Sequence, residues 1–121
     1  MFCYAAAHHF VDHRAALIET FRLLRPGGRC LWLYEPTSSR LMHGAAEARV
    51  NRKRPDVKEH VLIPSAVLAT AREVGLRGEI QYWPSSLRRS QFEALYYATL
   101  SYLPGFARWL PCTGHFVLQK P

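Results

Sequence analysis

Two short apolar runs flank a helix and a glycine turn, and this arrangement constrains the fold most. Phe2–Ala7 is a run of strand type, and Cys30–Tyr34 is almost wholly apolar, as in a strand covered on both faces. Asp12 is a suitable N-cap for a helix over His13–Leu24, and Pro26-Gly27-Gly28 ends that helix. Strand, helix and strand in this order predict parallel neighbours joined by a right-handed crossover.

The remainder of the chain continues the alternation of helices and strands. We expect Pro36 to close the second strand. The patterns then predict a helix from Ser38 to about Arg54 with Leu41, Met42 and Ala45 on one side, a helix over Ser65–Val74, a strand over Glu79–Trp83, a helix over Gln91–Leu103 and a strand over His115–Gln119. Strands separated by helices indicate an α/β layer structure.

Composition is that of a globular protein. Hydrophobic residues make up 49% and charged residues 21% of the 121 residues, which suits a single domain over 1–121. No apolar run approaches the ~20 residues that span a bilayer, so we expect a cytoplasmic protein without membrane contact. Cys3, Cys30 and Cys112 are odd in number and far apart, and they predict neither a disulfide framework nor a metal-ligand pair.

The formal charge of +7 raises the question of nucleic-acid binding. Arg49, Arg52, Lys53 and Arg54 form one basic cluster, and Arg88-Arg89 a smaller one. A solvated helix face is the favoured interpretation, because no aromatic residues interleave with the larger cluster to stack bases. A basic nucleic-acid-binding module stays open as the less favoured alternative.

The motifs around the glycine turn resemble a known family. His8-His9-Phe10, then 21–28 (FRLLRPGG), then 31–36 (LWLYEP) are similar to a segment midway through class I S-adenosylmethionine-dependent methyltransferases of the type 11-like group. Residues 63–75 (IPSAVLATAREVG) resemble the family's helix before the sixth strand, and 114–118 (GHFVL) its last strand. The resemblance implies an α/β fold with a partial Rossmann-like sheet of about four strands and helices on both faces. It also implies that the last strand is antiparallel and inserts between its two predecessors.

The resemblance also implies what this stretch lacks. The family's glycine-rich loop and acidic cofactor ligands precede the matching segment, and the 121 residues contain no GxGxG. We therefore expect a truncated domain that binds S-adenosylmethionine poorly by itself and is inactive as an isolated fragment. The carry-over of cofactor contacts is limited to Ala7 and His8, at the exit of the strand that corresponds to the family's fourth.

Three residues at the predicted strand exits are candidates for chemistry. His8 or His9 could act as a catalytic base on the acceptor, since neutral imidazole suits proton transfer near neutral pH. The alternative is a histidine that only hydrogen-bonds the following turn. Glu35 could orient the acceptor or pair with a histidine, or it could be a capping carboxylate.

His9, Asp12 and His13 have a spacing that suits metal binding only within a helix, so we expect no metal site.

The function implied by the resemblance is methyl transfer to a small-molecule acceptor. An aromatic run could line an acceptor pocket or could be core: Tyr96, Tyr97, Tyr102, Phe106 and Trp109. A second hypothesis is a non-catalytic interaction module that pairs with a chain supplying the missing half. Both hypotheses leave the first strand exposed, which predicts self-association or a partner there.

Overall fold

The chain forms a mixed four-stranded sheet with four α-helices in the computed structural model, which describes residues 1–53, 59–84 and 91–121. The elements are β1 (Phe2–Tyr4), α1 (His13–Leu23), β2 (Arg29–Thr37), α2 (His43–Lys53), α3 (Pro64–Glu73), β3 (Arg77–Tyr82), α4 (Gln91–Tyr102) and β4 (Cys112–Gln119), with 3₁₀ turns at Ala7–His9 and Pro104–Arg108.

The strands lie in the order β1-β2-β4-β3. β1 is parallel to β2, whereas β4 is antiparallel to both of its neighbours, β2 and β3. The last strand therefore inserts between its two predecessors, as the resemblance implies. The α/β class and the mixed sheet are confirmed.

Local signals position the first helix as the sequence predicts. The Asp12 side chain accepts a hydrogen bond from the Ala15 amide at 2.9 Å, which satisfies one of the unpaired amides of the first turn. Leu17 and Leu24 are buried on the face toward the sheet. Gly27 has a φ of 75°, a conformation that favours glycine, and it leads the chain into β2.

The two strand ends differ from the prediction. β1 ends at Tyr4 rather than Ala7, because Ala5 has a φ of 45° and the chain then enters a 3₁₀ turn. β2 continues through Pro36, whose carbonyl accepts from the Leu62 amide at 2.8 Å on the side away from β4. A strand residue's nitrogen and oxygen point to the same side, so the missing proline donor removes no hydrogen bond to β4.

The predicted start and face of α2 are wrong. The helix begins at His43, and the side chain at position 41 is 87% exposed, while Ala46 is the buried alanine instead of Ala45. A turn precedes the helix, in which the Ser39 hydroxyl donates to the Trp109 carbonyl at 2.7 Å. That contact joins segments far apart in sequence, so helical periodicity does not reveal it.

The main core lies between α1, α3 and one face of the sheet. Its largest wholly buried side chains include Trp32, Phe116, Leu17 and Leu118. The Trp32 ring packs edge-to-face against Phe116, with ring centroids 6.2 Å apart. A smaller cluster lies beneath α4 and contains Leu100, Ala107 and Cys112.

The opposite face of the sheet is less well covered. Phe2 and Tyr4 are 71% and 61% exposed, and Leu31, Leu33 and Val117 beside them are half-buried. We call these five side chains the open face. Isolated exposed apolar residues are ordinary, but a contiguous group of this kind marks an interaction surface.

The helices of the described residues have no membrane-spanning character: none is long and apolar enough to cross a bilayer.

Leu118→Ala and Leu41→Ala are a matched pair that tests where the core lies. Leu118 is wholly buried, so its truncation should lower the free energy of unfolding by about 2–5 kcal/mol. Leu41 is exposed, and its truncation should change that free energy by no more than about 0.5 kcal/mol. Urea denaturation followed by circular dichroism measures both. Equal losses would contradict this description of the core.

Candidate functional site

The carboxylate of Glu35 is wholly buried and holds the 3₁₀ turn at Ala7–His9, which we call the histidine turn. One carboxylate oxygen accepts from the amides of Ala6 and Ala7 at 3.0 and 2.9 Å. The other oxygen accepts from the amide of His8 at 3.1 Å and lies 2.8 Å from His8 Nδ1. Four contacts from one side chain therefore fasten the turn to the end of β2.

An irregularity in β2 directs Glu35 into the protein. The register between β2 and β4 shifts between Trp32 and Glu35, and Tyr34 has a φ of 61°. The Tyr34 amide donates to His115 Nδ1 at 2.9 Å. In a regular strand Glu35 would lie on the face opposite Trp32. The extra residue returns Glu35 to the buried face, which is the usual effect of a β-bulge.

Burial and the four contacts have opposite effects on the pKa of Glu35. Burial raises the pKa, but the hydrogen bonds from His8 Nδ1 and the three amides outweigh it, and the net pKa is below its usual value. Glu35 is thus ionised at neutral pH and can only accept hydrogen bonds. His8 Nδ1 must carry the proton in that contact, which leaves Nε2 of a neutral His8 with its lone pair available.

The histidine turn brings the two neighbouring imidazoles together. The ring centroids of His8 and His9 are 4.0 Å apart, although adjacent side chains at a strand exit would point in opposite directions. The strand predicted through Ala7 is therefore wrong at this point, since the 3₁₀ turn replaces the alternation. His8 is buried and His9 is exposed, so the two rings differ in access to solvent.

Ala7 supports the turn from beneath. It is wholly buried, its amide donates to Glu35, and its carbonyl lies 2.9 Å from His13 Nε2. The cofactor-lining role of Ala7 and His8, the catalytic role of His8 and His9 and the acceptor-side role of Glu35 all stay predictions.

Glu59 joins the two histidines from a distant part of the chain. Donor atoms of His8, His9 and Glu59 lie within 4.8 Å of one another. Asn51 fixes the position of Glu59, because its side chain accepts from the Glu59 amide at 2.9 Å and donates to the Glu59 carbonyl at 3.0 Å. No sequence signal marks Glu59, since its proximity to the turn depends wholly on tertiary packing.

A pocket of about 360 Å³ adjoins the histidine turn. It has an apolar wall that includes Phe10, Ile63 and Ala66, and a polar wall of histidines and Glu47. The lining histidines are His13, His43 and His60, of which His13 contacts the Ala7 carbonyl and His60 donates its amide to the His8 carbonyl at 3.3 Å. The pocket and the turn therefore share their supporting contacts.

The polar wall of the pocket contains an incompletely satisfied group. A carboxylate oxygen of Glu47 lies 3.2 Å from His60 Nδ1 and 3.7 Å from His43 Nε2. His43 Nδ1 is buried and has no hydrogen-bond partner among the described residues. Buried polar atoms are nearly always satisfied, and His43 Nδ1 is an exception beside the pocket.

The predicted aromatic run does not form one surface. Tyr96 and Tyr97 are half-buried in the smaller core cluster, and Tyr96 donates to the Pro111 carbonyl at 2.6 Å. Burial raises the pKa of Tyr96 to about 12, which keeps it a phenol. Tyr102, Phe106 and Trp109 are exposed.

The larger basic cluster is partly neutralised. Arg49 pairs with Glu93 at 2.7 Å, and Arg52 is exposed on α2. Arg54 and Arg88-Arg89 lie outside the described residues, as does the side chain of Lys53.

The residues His9, Asp12 and His13, whose spacing was considered for metal binding, have other contacts. Asp12 caps α1, and His13 Nε2 lies at the Ala7 carbonyl, so these side chains do not come together with His9 as one ligand set.

The fold described above is that of S-adenosylmethionine-dependent methyltransferases. No protein-family model and no curated protein sequence matches the chain. Among solved structures, the cyclopropane synthase MmaA2 from Mycobacterium tuberculosis has a TM-score of 0.63 at 18% identity, covering 98% of this chain and 54% of its own. A candidate sarcosine dimethylglycine methyltransferase from Galdieria sulphuraria has a TM-score of 0.64 at 16% identity, covering 98% of this chain and 51% of its own.

A third similar structure is a complex with two small molecules. Haemonchus contortus phosphoethanolamine N-methyltransferase 2, in complex with phosphomonomethylethanolamine and S-adenosylhomocysteine, has a TM-score of 0.56 at 14% identity, covering 99% of this chain and 32% of its own. The chain thus spans about half the length, or less, of these three proteins. At such low identities the likeness establishes the fold alone.

Glu35→Gln should destabilise the protein by roughly 3 kcal/mol, because the amide nitrogen would face the donors of His8 while the charge that all four contacts need is lost. Urea denaturation at neutral pH measures the change. Glu79→Gln on the exposed part of β3 is the matched control and should alter stability by no more than about 0.5 kcal/mol. A Glu35→Gln protein as stable as the parent would show that the carboxylate does not anchor the turn.

Proposed function

We propose that the chain is the acceptor-side part of an S-adenosylmethionine-dependent methyltransferase domain that acts on a small molecule. The sheet carries the proposal: β4 lies antiparallel between β2 and β3, and this arrangement matches methyltransferase structures over nearly the whole chain. The histidine turn lies where β1 and β2 end, and ligands of open α/β sheets bind outside the carboxyl ends of the strands.

The pocket beside the turn supports a small-molecule acceptor. Its volume of about 360 Å³ falls within the usual range for small ligands. The apolar wall would contact the body of the acceptor, and the polar wall with Glu47 and His60 would hydrogen-bond its polar group. The Haemonchus enzyme, which holds phosphomonomethylethanolamine, is a similar fold with an acceptor of small size.

Methyl transfer is an in-line attack, so positioning is the main task of this part of the domain. In the proposal His9, the exposed imidazole, lies on the acceptor side of the turn. Glu35 acts on the acceptor side through His8, whose ring it orients at 2.8 Å. Ala7 and His8 would line the cofactor side of the histidine turn, and their contribution would be to shape that surface.

S-adenosylmethionine should bind the 121-residue chain more weakly than millimolar, because this stretch contains no glycine-rich GxGxG loop to approach the cofactor. Calorimetric titration measures this affinity. The second part of the test uses the reading frame upstream of Met1. If it encodes an in-frame glycine-rich loop, the extended protein should bind the cofactor and transfer labelled methyl groups to small-molecule acceptors.

Each outcome decides a separate part of the proposal. If the 121-residue chain binds S-adenosylmethionine with micromolar affinity, cofactor binding does not require an added half, and that part of the proposal is refuted. An extended protein that binds the cofactor but methylates none of a broad acceptor panel would refute the activity. A locus without a glycine-rich loop would favour a module that pairs with another chain.

The open face supports that second candidate function, a pairing module. Within the described residues β1 pairs with β2 on one side, and its other edge is unpaired. Phe2, Cys3 and Tyr4 include no Lys or Pro, the residues that commonly protect an edge strand. An additional strand from another chain would satisfy the edge, and its helices would cover the open face.

The isolated chain should therefore self-associate, which size exclusion coupled to light scattering at several concentrations would measure. Tyr4→Lys places a charge on the open face and should shift the protein toward monomer. Ile18→Lys adds the same charge on α1, at the other side of the sheet, and should leave association unchanged. A monomer at every concentration, with a cooperative melt, would contradict the prediction.

A further inference from the structure

We propose that His8, His9 and Glu59 form a binding site for a divalent transition-metal ion, best suited to Zn²⁺, with Glu35 orienting His8 from behind. The inference rests on side chains of this chain alone. It does not depend on the proposed methyltransferase function.

The three donor atoms are near one another but further apart than the ligands of a bound zinc ion. They lie within 4.8 Å of one another, whereas tetrahedral ligands at about 2.0–2.1 Å from the ion are about 3.3 Å apart. His9 is exposed and Glu59 half-buried, so both side chains can rotate toward an ion. His8 is buried and held in place, and it provides the fixed ligand.

The contact between Glu35 and His8 is an independent sign of a metal site. A metal-bound histidine commonly donates its other ring N–H to a carboxylate, which fixes the ring and raises the basicity of the coordinating nitrogen. Here His8 Nδ1 donates to Glu35 at 2.8 Å, and the carboxylate is fixed in turn by three amides. His8 Nε2 is left as the available ligand atom.

The third ligand is also held by the fold. Both backbone groups of Glu59 bond to the Asn51 side chain, and the next residue, His60, donates its amide to the His8 carbonyl. These contacts bring α2 and the Glu59 segment against the histidine turn before any ion binds. Such support lowers the entropic cost of assembling the ligands.

The donor set determines the class of ion. Two imidazoles and a carboxylate suit zinc and its transition-metal neighbours, whereas Mg²⁺ and Ca²⁺ prefer oxygen ligands throughout. Two histidines with one glutamate form a known zinc ligand set that leaves one coordination position for water or another ligand. In this assignment both histidines are ligands, and neither is the imidazole base predicted from the sequence.

Zinc titration of the metal-free 121-residue chain at neutral pH tests the site, with calorimetry for affinity and the visible absorption of bound Co²⁺ for geometry. We expect one ion per chain with micromolar affinity, a tetrahedral Co²⁺ spectrum, and no competition from excess Mg²⁺. His9→Gln and Glu59→Gln should each weaken binding at least about tenfold, since loss of a mere supporting group already costs about 10–100-fold. Glu79→Gln, an exposed carboxylate on β3, is the control and should bind like the parent.

Both ligand variants alter side chains with solvent access, and their thermal melts establish that they are folded. Affinity no tighter than millimolar would overturn the proposal. So would unchanged affinity in His9→Gln and Glu59→Gln. Loss of binding in His43→Gln but not in His9→Gln would place the ion on the pocket imidazoles and refute this assignment.

Discussion

The buried Glu35 carboxylate is the interaction on which the candidate site depends. An isolated carboxylate in the interior would cost many kcal/mol, so it must be fully hydrogen-bonded there. Three successive amides and His8 Nδ1 supply those bonds, and the tight turn aims the three amides at one group. The turn therefore follows from the carboxylate, and the approach of the two imidazoles follows from the turn. The bulge at Tyr34 completes the arrangement by directing Glu35 inward.

The sequence predicted the features that depend on local chemistry. The cap at Asp12, the helix after it and the inward face with Leu17 follow from residue type and spacing, and the structure contains all three. The position of β4 came from the resemblance, since periodicity does not specify strand order. The shorter β1, the longer β2, the late start of α2 and the position of Glu59 depend on contacts across the fold, such as Ser39 with Trp109. Local patterns contain no information about such partners.

The two faces of the sheet differ in a way that bears on function. The covered face contains Trp32, Phe116 and Leu118 at almost no exposure, and the other face leaves Phe2 and Tyr4 in solvent. An edge strand is normally protected, and a contiguous group of apolar side chains in solvent marks an interaction surface. The three similar proteins are about twice as long as this chain or longer. Cover for the open face is thus a requirement that both candidate functions share, and the two differ in whether that cover also holds a cofactor.

Two carboxylates lie beside the imidazoles of the histidine turn, although the chain as a whole is basic. The formal charge is +7, yet Glu35 lies 2.8 Å from His8 Nδ1, and donor atoms of His8, His9 and Glu59 lie within 4.8 Å of one another. A divalent cation there would balance two carboxylates at short range, where Coulomb attraction in a partly buried site is much stronger than in water. The same arrangement disfavours a phosphate or another anion at the turn, because the anion would meet the half-buried carboxylate of Glu59. Glu59 would thus add a short-range attraction for a cation at the turn of a chain whose overall charge is positive.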